Sequence, residues 1–536
     1  MNTDKKNSGF FTFGVLLAAI VLSGCRAPEM AEEAAPAVGP ESRIGSLVEV
    51  VSVETVQLEG YGIVGGLRGT GSSECPPRIR QYLEGYILKE LPERTINIKQ
   101  FVDSHDTAVV LVEGSIPGTI SKGEYFDVCV FALPGTQTTS LQGGWLYGAE
   151  LKEARTFGIT TKVLANASGP VYIDKIDGKS ADKKAGYVLA GGTSTSDYRT
   201  NLVLRQPDYK IASTIRNRLN ERFGSGTAKA ISPSKIEFNV PWKYQRQKER
   251  FFSIIRSMYL YNAPEATQER IAEAVGNLVD SSDKHRAEIA LEAIGNEVFG
   301  QLTAVLGSPD ENVRLRAARC ILNLGSDRGL DVLRQIAMDA NSPYRIEALE
   351  AITRSARRND AAAISRVLLR DDDFDARLAA YEELRRLDDI AIRQRLVGGS
   401  FYLETVAQTH KKAVFVSRSG QSRVALFGGP IKCRENIFIR SADGEITLNA
   451  SPGDKYVSVM RKNPKQPNVV VTSKSSFELD DIIRTLCEEP DNKEHPGLAV
   501  SYAEMIAILK QMHDKGAVSA EFHIGPLPEM ALNIKK

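Results

Sequence analysis

Apolar and polar residues alternate over 47–58 with β-branched side chains, the period of one or two strands. Ile79, Tyr82, Leu83, Tyr86, Ile87 and Leu91 then share one helical face after Pro77, a residue suited to a first turn. Strand patterns return at 95–101, 107–113, 125–132 and 171–176, separated by turns at Pro117-Gly118 and Lys122-Gly123. Residues 44–200 read as one β-rich α+β domain. A small β-α-β-α unit follows over 201–264: a strand at 201–205, a helix from Pro207-Asp208 to Phe223, a strand at 235–240 and a helix at 246–259. Ile211, Ile215 and Leu219 give the first helix its apolar face, and Gly224 stops it.

From 265 to 396 the period is helical almost throughout, with no strand expected. Ala290, Ala317, Ala348 and Ala379 recur every 27–31 residues, with Ile294, Ile321 and Ile352 one turn on. Ser308-Pro309-Asp310, Ser342-Pro343 and Asp371-Asp372-Asp373 mark turns. Small residues let paired helices approach closely, so the segment resembles about four HEAT-type repeats, a plain helical bundle being the alternative. Such a stack offers a groove for a protein partner of unknown identity. Arg314, Arg316, Arg345, Arg354, Arg357 and Arg358 are its candidate lining, or else a solvated surface.

Past Gly398-Gly399, strands are expected at 413–417, 423–427, 436–440 and 456–460. Ser501 with Glu504 forms a capping box for a helix whose apolar face is Met505, Ile506, Ile508, Leu509 and Met512. Gly516 stops it, and 518–524 alternates as a last strand. Residues 397–536 make a C-terminal region.

The amino terminus adds an address. Lys5 and Lys6 precede the apolar run 10–22, too short to span a bilayer but right for a signal peptide over 1–24. Leu22-Ser23-Gly24-Cys25 resembles a lipobox, which makes Cys25 the lipidated first mature residue, held at a membrane by about 0.8 kcal/mol per buried methylene. An ordinary signal peptide with an incidental cysteine is the alternative. Residues 25–43, rich in Ala, Pro and Glu, read as a disordered tether.

Lysine and arginine number 68 against 67 acidic residues, so nothing points to nucleic acid. The basic run 243–250 reads as a solvated helix face. The six cysteines contain no CxxC pair. Cys129 and Cys320 are expected as buried thiols, and one disulfide among the remainder stays open.

The glycine stretch 60–71 formally contains the dinucleotide pattern at Gly60, Gly62 and Gly65. That pattern needs a helix directly after the turn, whereas this chain runs on through Gly66, Gly69 and Gly71 to Pro76-Pro77. Glu84 lies on a helical pattern, and no Walker lysine follows. The stretch is expected to be extended and to pass close to another backbone. Histidines 105, 285, 410, 495, 513 and 523 are scattered. Asp103, His105 and Asp106 read as a polar turn, metal ligation being the alternative, and Trp145 as core. No catalytic, cofactor or metal site is expected.

Gly60-Tyr61-Gly62-Ile63-Val64-Gly65-Gly66-Leu67-Arg68-Gly69-Thr70-Gly71 resembles the opening signature of the bacterial flagellar P-ring protein family, with Ser72 where that family usually has aspartate. Ser140-Leu141-Gln142-Gly143-Gly144-Trp145-Leu146 and Leu204-Arg205-Gln206-Pro207-Asp208-Tyr209 resemble two later family segments. The stretches 498–512 and 515–524 resemble its carboxyl terminus, in collinear order. The resemblance implies an α+β fold of β-rich domains with an inserted all-α HEAT-like stack. It also implies a non-enzymatic role: a homo-oligomeric ring around the flagellar rod, in the periplasm and peptidoglycan layer, beside rod and L-ring proteins. With Cys25 lipidated, the outer membrane is the expected anchor. The helical array departs from typical members. The alternative function is a non-flagellar envelope lipoprotein scaffold that binds proteins through its repeats.

Overall fold

The structure, a computed structural model, describes residues 39–51, 55–90, 98–155, 162–176, 182–195, 201–261, 263–463 and 466–528. The signal peptide, Cys25 and the expected tether up to residue 38 lie outside the described residues, while the tether's end at 40–43 is corrected from disordered to docked, Arg43 bridging Tyr259 and Arg270 bonding the Pro40 carbonyl at 2.9 Å.

The chain enters through strand β1 (Val48–Val51) and passes into β2 (Thr55–Gly65). Strands β3 (Thr107–Pro117), β4 (Tyr125–Ala132), β5 (Trp145–Glu153), β6 (Ala165–Pro170) and β7 (Ala185–Ser194) follow. They close into a six-stranded barrel in the order β2-β3-β4-β7-β6-β5, with β5 returning to β2. Alternate residues point inward, so Leu58, Val64, Val110, Val112, Val128 and Leu151 fill its interior.

Gly60, Gly62 and Gly65 lie inside β2, not in a nucleotide-binding turn. A Cβ on Gly60 would overlap the Glu150 carbonyl oxygen, and one on Gly62 would sit 2.8 Å from Leu146 Cδ1. The glycines are what let β5 cross β2 so closely. Beyond the strand, Gly66 and Gly69 turn the chain at φ of +80° and +85°. A Cβ on Gly71 would overlap the Thr107 carbonyl oxygen, the second close backbone crossing.

Helix Pro77–Glu90 packs outside the barrel, Leu83 meeting Ile63 and Val109. The strand expected over 95–101 is corrected: its described part belongs to helix Ile98–Val102, whose Val102 joins the same cluster. The strand expected over 171–176 reduces to one bridge between Tyr172 and Tyr187.

A second sheet has the order β1-β8-β10-β9, from β8 (Asn201–Leu204), β9 (Ala228–Ala230) and β10 (Lys235–Phe238). Its helix Tyr209–Phe223 is capped by Asp208, which accepts from Lys210 N at 2.7 Å and Ile211 N at 3.0 Å. Gly224 leaves it at φ +107°. Helix Lys248–Ser257 completes the unit, with Phe251 and Phe252 buried against Phe238.

The repeats form four helix pairs: Pro264–Asp280 with Lys284–Ile294, Phe299–Val305 with Glu311–Asn323, Leu330–Met338 with Arg345–Ser355, and Arg358–Leu368 with Phe374–Arg386. Successive second helices pack on one another. Ala317 and Ala348 are fully buried at these contacts, whereas Ala290 and Ala379 are half-buried. Asp310 and Asp373 cap the second helices of the second and fourth pairs. Helix ends at Arg386, and the expectation of no strand before 396 is corrected by β11 (Ile392–Val397).

Strands β12 (Phe401–Val406), β13 (Ala413–Val416), β14 (Arg423–Phe427) and β19 (Glu521–Ile524) join β11 in the order β11-β12-β14-β13-β19. A four-stranded meander runs β15 (Ile437–Arg440), β16 (Ile446–Ala450), β17 (Val457–Asn463) and β18 (Gln466–Ser475). Helices Leu479–Cys487 and Tyr502–Asp514 bury Ile482, Ile483, Met505 and Ile506 in one core with both sheets. The Ser501–Glu504 capping box forms, and Gly516 turns the chain at φ +66° before β19.

Candidate assembly surfaces

The C-terminal region folds directly onto the barrel. On β4, the Asp127 carboxylate accepts the Gly420 N–H at 2.9 Å and the Ala190 N–H at 2.6 Å. Gly420 adopts φ +62°, the turn that aims its amide at β4. Arg418 donates to Asp174 at 3.0 Å and to the Gly525 carbonyl at 2.9 Å, tying barrel, turn and final strand together. Tyr172, between β6 and β7, belongs to the C-terminal core, its ring centroid 6.1 Å from that of Tyr502. Burial, with Asp174 beside it, pushes the Tyr172 hydroxyl pKa upward.

Glu504 serves two structures. It caps its own helix by accepting from Ser501 N at 3.2 Å, and it accepts from Gln142 of the barrel at 3.3 Å. Lys175 Nζ lies 3.6 Å from Glu504 and 3.9 Å from Asp443. Carboxylates of Asp443, Glu445 and Glu504 converge within 4.8 Å, and Lys175 already supplies positive charge there. Burial would raise the Asp443 carboxyl, but hydrogen bonds from Ser441 and Glu445 N–H, with Lys175, hold it below its ordinary range.

A second seam joins the repeats to the small β-α unit. Glu288 is fully buried and receives Arg250 at 2.6 Å, Arg319, and Arg316 at 3.3 Å. Glu292 receives Arg250, the Tyr244 hydroxyl at 3.2 Å and Asn323 at 3.1 Å. Asn323 in turn accepts from Ser355, and Gln247 donates to Ser355 at 3.2 Å. Glu292, Asn323 and Ser355 are spaced by 31 and 32 residues, so one polar ladder crosses successive second helices. Arg246 reaches the Thr353 carbonyl at 2.6 Å and Glu383 at 3.1 Å, and Lys248 reaches the Thr119 carbonyl. The basic run 243–250 is therefore corrected: Arg246, Lys248 and Arg250 are staples between units, not a solvated face. A cavity of about 450 Å³ opens beside them, lined by Arg246, Lys248, His285, Arg319 and Arg354.

Burial would raise the Glu288 carboxyl, but Arg250 and Arg319 outweigh it and hold the group well below the ordinary carboxylate range. The far end of the stack is fixed likewise. Tyr381 and Arg385 both bond Glu404 of β12, and Arg377, with no exposed side-chain surface, pairs with Glu521 of β19 at 3.2 Å.

Each of the expected groove arginines has a partner in this part of the chain, Arg354 and Arg357 at its exposed surface. Arg345 pairs with Asp371, Arg316 with Glu347 at 3.0 Å, Arg354 with Glu350 at 2.9 Å and Arg357 with Asp327 at 2.8 Å. Arg314 caps the Ser308 carbonyl at 2.7 Å, and Arg358 the Leu387 carbonyl. Trp145 is corrected from core to surface at 44% exposure, because position one of β5 points out of the barrel. Asp103 pairs with Arg80, and His105 and Asp106 are exposed in the turn before β3. Cys129 and Cys320 are buried as expected, and the five described cysteines are free thiols. Sequence patterning missed Asp127, Asp174, Glu288 and Glu404, because a buried carboxylate is defined by partners far away in the chain. The 31-residue recurrence of Glu292 and Asn323 was the one available signal.

Each part matches a known family. Residues 43–280 match the family model described as flagellar P-ring protein, and residues 265–353 match that of HEAT repeats. The flagellar P-ring protein of Hydrogenovibrio crunogenus is 27% identical over 265 residues, covering 46% of this chain and 69% of that protein. The one from Anaeromyxobacter dehalogenans is 29% identical over 282 residues, covering 50% and 73%. That of Thermotoga maritima is 30% identical over 217 residues, covering 38% and 62%. The chain is thus related to the flagellar P-ring proteins through residues 43–280 and runs without a break into a stack of HEAT repeats.

Proposed function

We propose that this chain is a structural subunit of a P-ring-like assembly of the flagellar basal body, forming a ring around the rod in the periplasm. The observation that carries the reading is the seam of Asp127, Asp174, Gly420 and Arg418, which makes the glycine-bearing barrel and the carboxyl-terminal strand one body. A rigid body with repeated identical contacts is what a ring requires, and those contacts are heterologous, closing by rotation. The mechanism is assembly and shape, without turnover. Lipidated Cys25 would hold the subunit to the outer membrane, and rod, L-ring and peptidoglycan are its neighbours. Among the described residues no helix is long and apolar enough to cross a membrane.

A second reading, an envelope scaffold, draws on the first helices of the repeat pairs, where Val279, Met338 and Val367 are exposed. Basal bodies isolated from the source bacterium, imaged beside those of a gene deletion, separate the two. Closed rings lost on deletion, together with swimming, support the ring. Full swimming without the gene overturns it and favours the scaffold.

A further inference from the structure

Strand β18 is an open edge. β17 pairs with one side of it, and among the described residues no strand pairs with the other. Residues 468–472 are all exposed, with Val469, Val470 and Val471 at 43%, 54% and 43%. Successive side chains of a strand point to opposite faces. Three consecutive exposed valines therefore leave both faces of this stretch of β18 uncovered, while β17 beside it is anchored in the core through Val457 and Val459.

Such an edge presents a row of unmet backbone donors and acceptors beside β-branched side chains, a template for another strand. A strand is the occupant that matches the backbone ladder and the apolar rungs together. The order Asn468-Val469-Val470-Val471-Thr472 is self-complementary. Read antiparallel about Val470, it sets Val470 opposite Val470 of the second copy, and Val469 opposite Val471 of the second copy. Asn468 then faces Thr472 of the second copy. No charged residue falls within the five pairs; Lys474 lies beyond them. Cross-strand pairs of β-branched residues are favourable, at about 0.2–1 kcal/mol each.

We propose that β18 pairs antiparallel with β18 of a second copy of this chain about a two-fold axis at Val470, joining two four-stranded sheets into one. The contact is isologous, so it is separate from the heterologous contacts of a ring and does not rest on that reading.

The test uses the full chain and thiol crosslinking. Directly opposed residues of an antiparallel pair have Cα atoms about 4.5–5.5 Å apart, within disulfide reach. Val470→Cys is expected to crosslink under mild oxidation at least about tenfold faster than Val469→Cys, whose opposite number is Val471. Wild type serves as the blank for the native thiols. The double variant Val469→Cys/Val471→Cys restores crosslinking. By sedimentation, wild type shows a concentration-dependent dimer, and Val470→Lys weakens it by about tenfold or more, since it sets like charges face to face. The side chain is exposed, so unchanged circular dichroism and melting check that the fold is intact. Equal crosslinking of Val469→Cys and Val470→Cys overturns the register. Wild type that stays monomeric at its highest soluble concentration, or an unaffected Val470→Lys dimer, overturns the interface.

Discussion

Arg418 and Asp174 meet at 3.0 Å although 244 residues separate them, each side chain only 13% exposed. The whole repeat stack lies between them in the chain. Arg418→Ala would take the cation from Asp174, leaving it the Tyr172 hydroxyl at 2.8 Å, and free the Gly525 carbonyl. The expected loss is about 1–3 kcal/mol, read as a lower urea midpoint. Asp127→Ala, which orphans the Gly420 and Ala190 amides, should act in the same range by the same count of lost partners.

Glu288 gives the seam at the repeats a pH dependence. Its carboxyl is depressed in the folded protein, so its contribution is fully present above the unfolded value of about 4.3. It is lost as pH falls below that value toward the folded pKa. Glu288→Gln removes the anion shared by Arg250 and Arg319, which keep Glu292 and Glu347, and should cost about 1.5–3 kcal/mol at neutral pH. Melting temperatures of wild type and variant should converge as the pH drops below 4.3.

Asp481 is depressed as well. Burial opposes its charge, but His495 at 2.8 Å and the Ser476 amide, with the Ser475 hydroxyl, bring its pKa to about 2. Its stabilisation should be present above about pH 3.9 and fade as pH falls through 2. His495→Ala should raise the Asp481 pKa in a carboxyl-labelled NMR titration.

Two glycines should behave in opposite ways. Gly60→Ala drives a methyl group into the Glu150 carbonyl, and soluble, folded barrel should be lost. Gly85 lies in helix Pro77–Glu90 with open space around it. Gly85→Ala should be neutral or stabilising by about 0.5–1 kcal/mol in thermal denaturation.

Thiol labelling should rank the cysteines by burial. Burial pushes up the thiol pKa of Cys320 and Cys487, both fully enclosed, and brings Cys129 and Cys433 up to about 12. Cys75 is half-buried and only moderately raised. A maleimide reagent on native protein should label Cys75 first among the five, and reach the rest after unfolding.

Local chemistry was readable wherever it is written locally. Asp208, Asp310, Asp373 and Ser501 cap the helices their positions announced, and the strands at 125–132 and 423–427 lie where alternation puts them. Strands β5, β6 and β7 escaped because each carries glycine, three of them in β7, and those glycines answer to neighbours, not to strand propensity. A Cβ on Gly192 would meet Phe126, and one on Gly148 the Tyr86 hydroxyl. β18 escaped because its valines face solvent on both sides, which erases alternation. Residues 95–101 read as a strand from the alternation of Ile96 and Ile98, but the described part belongs to helix Ile98–Val102, packed beside the helix Pro77–Glu90. Of the two seams only the 31-residue recurrence of Glu292 and Asn323 was legible, since their charged groups have partners 28 to 362 residues away.

β1 lies antiparallel to β8, with Val51 opposite Asn201. The chain therefore departs for the barrel and comes home at neighbouring points of one small sheet. Topologically the barrel is a bead on a two-strand stem, and a short linker from one stem strand to the other would splice it out at little entropic cost. The stem would then report what the bead contributes: an excised chain keeps Val48–Val51 against Asn201–Leu204 while every contact of Asp127 and Asp174 disappears in a single cut.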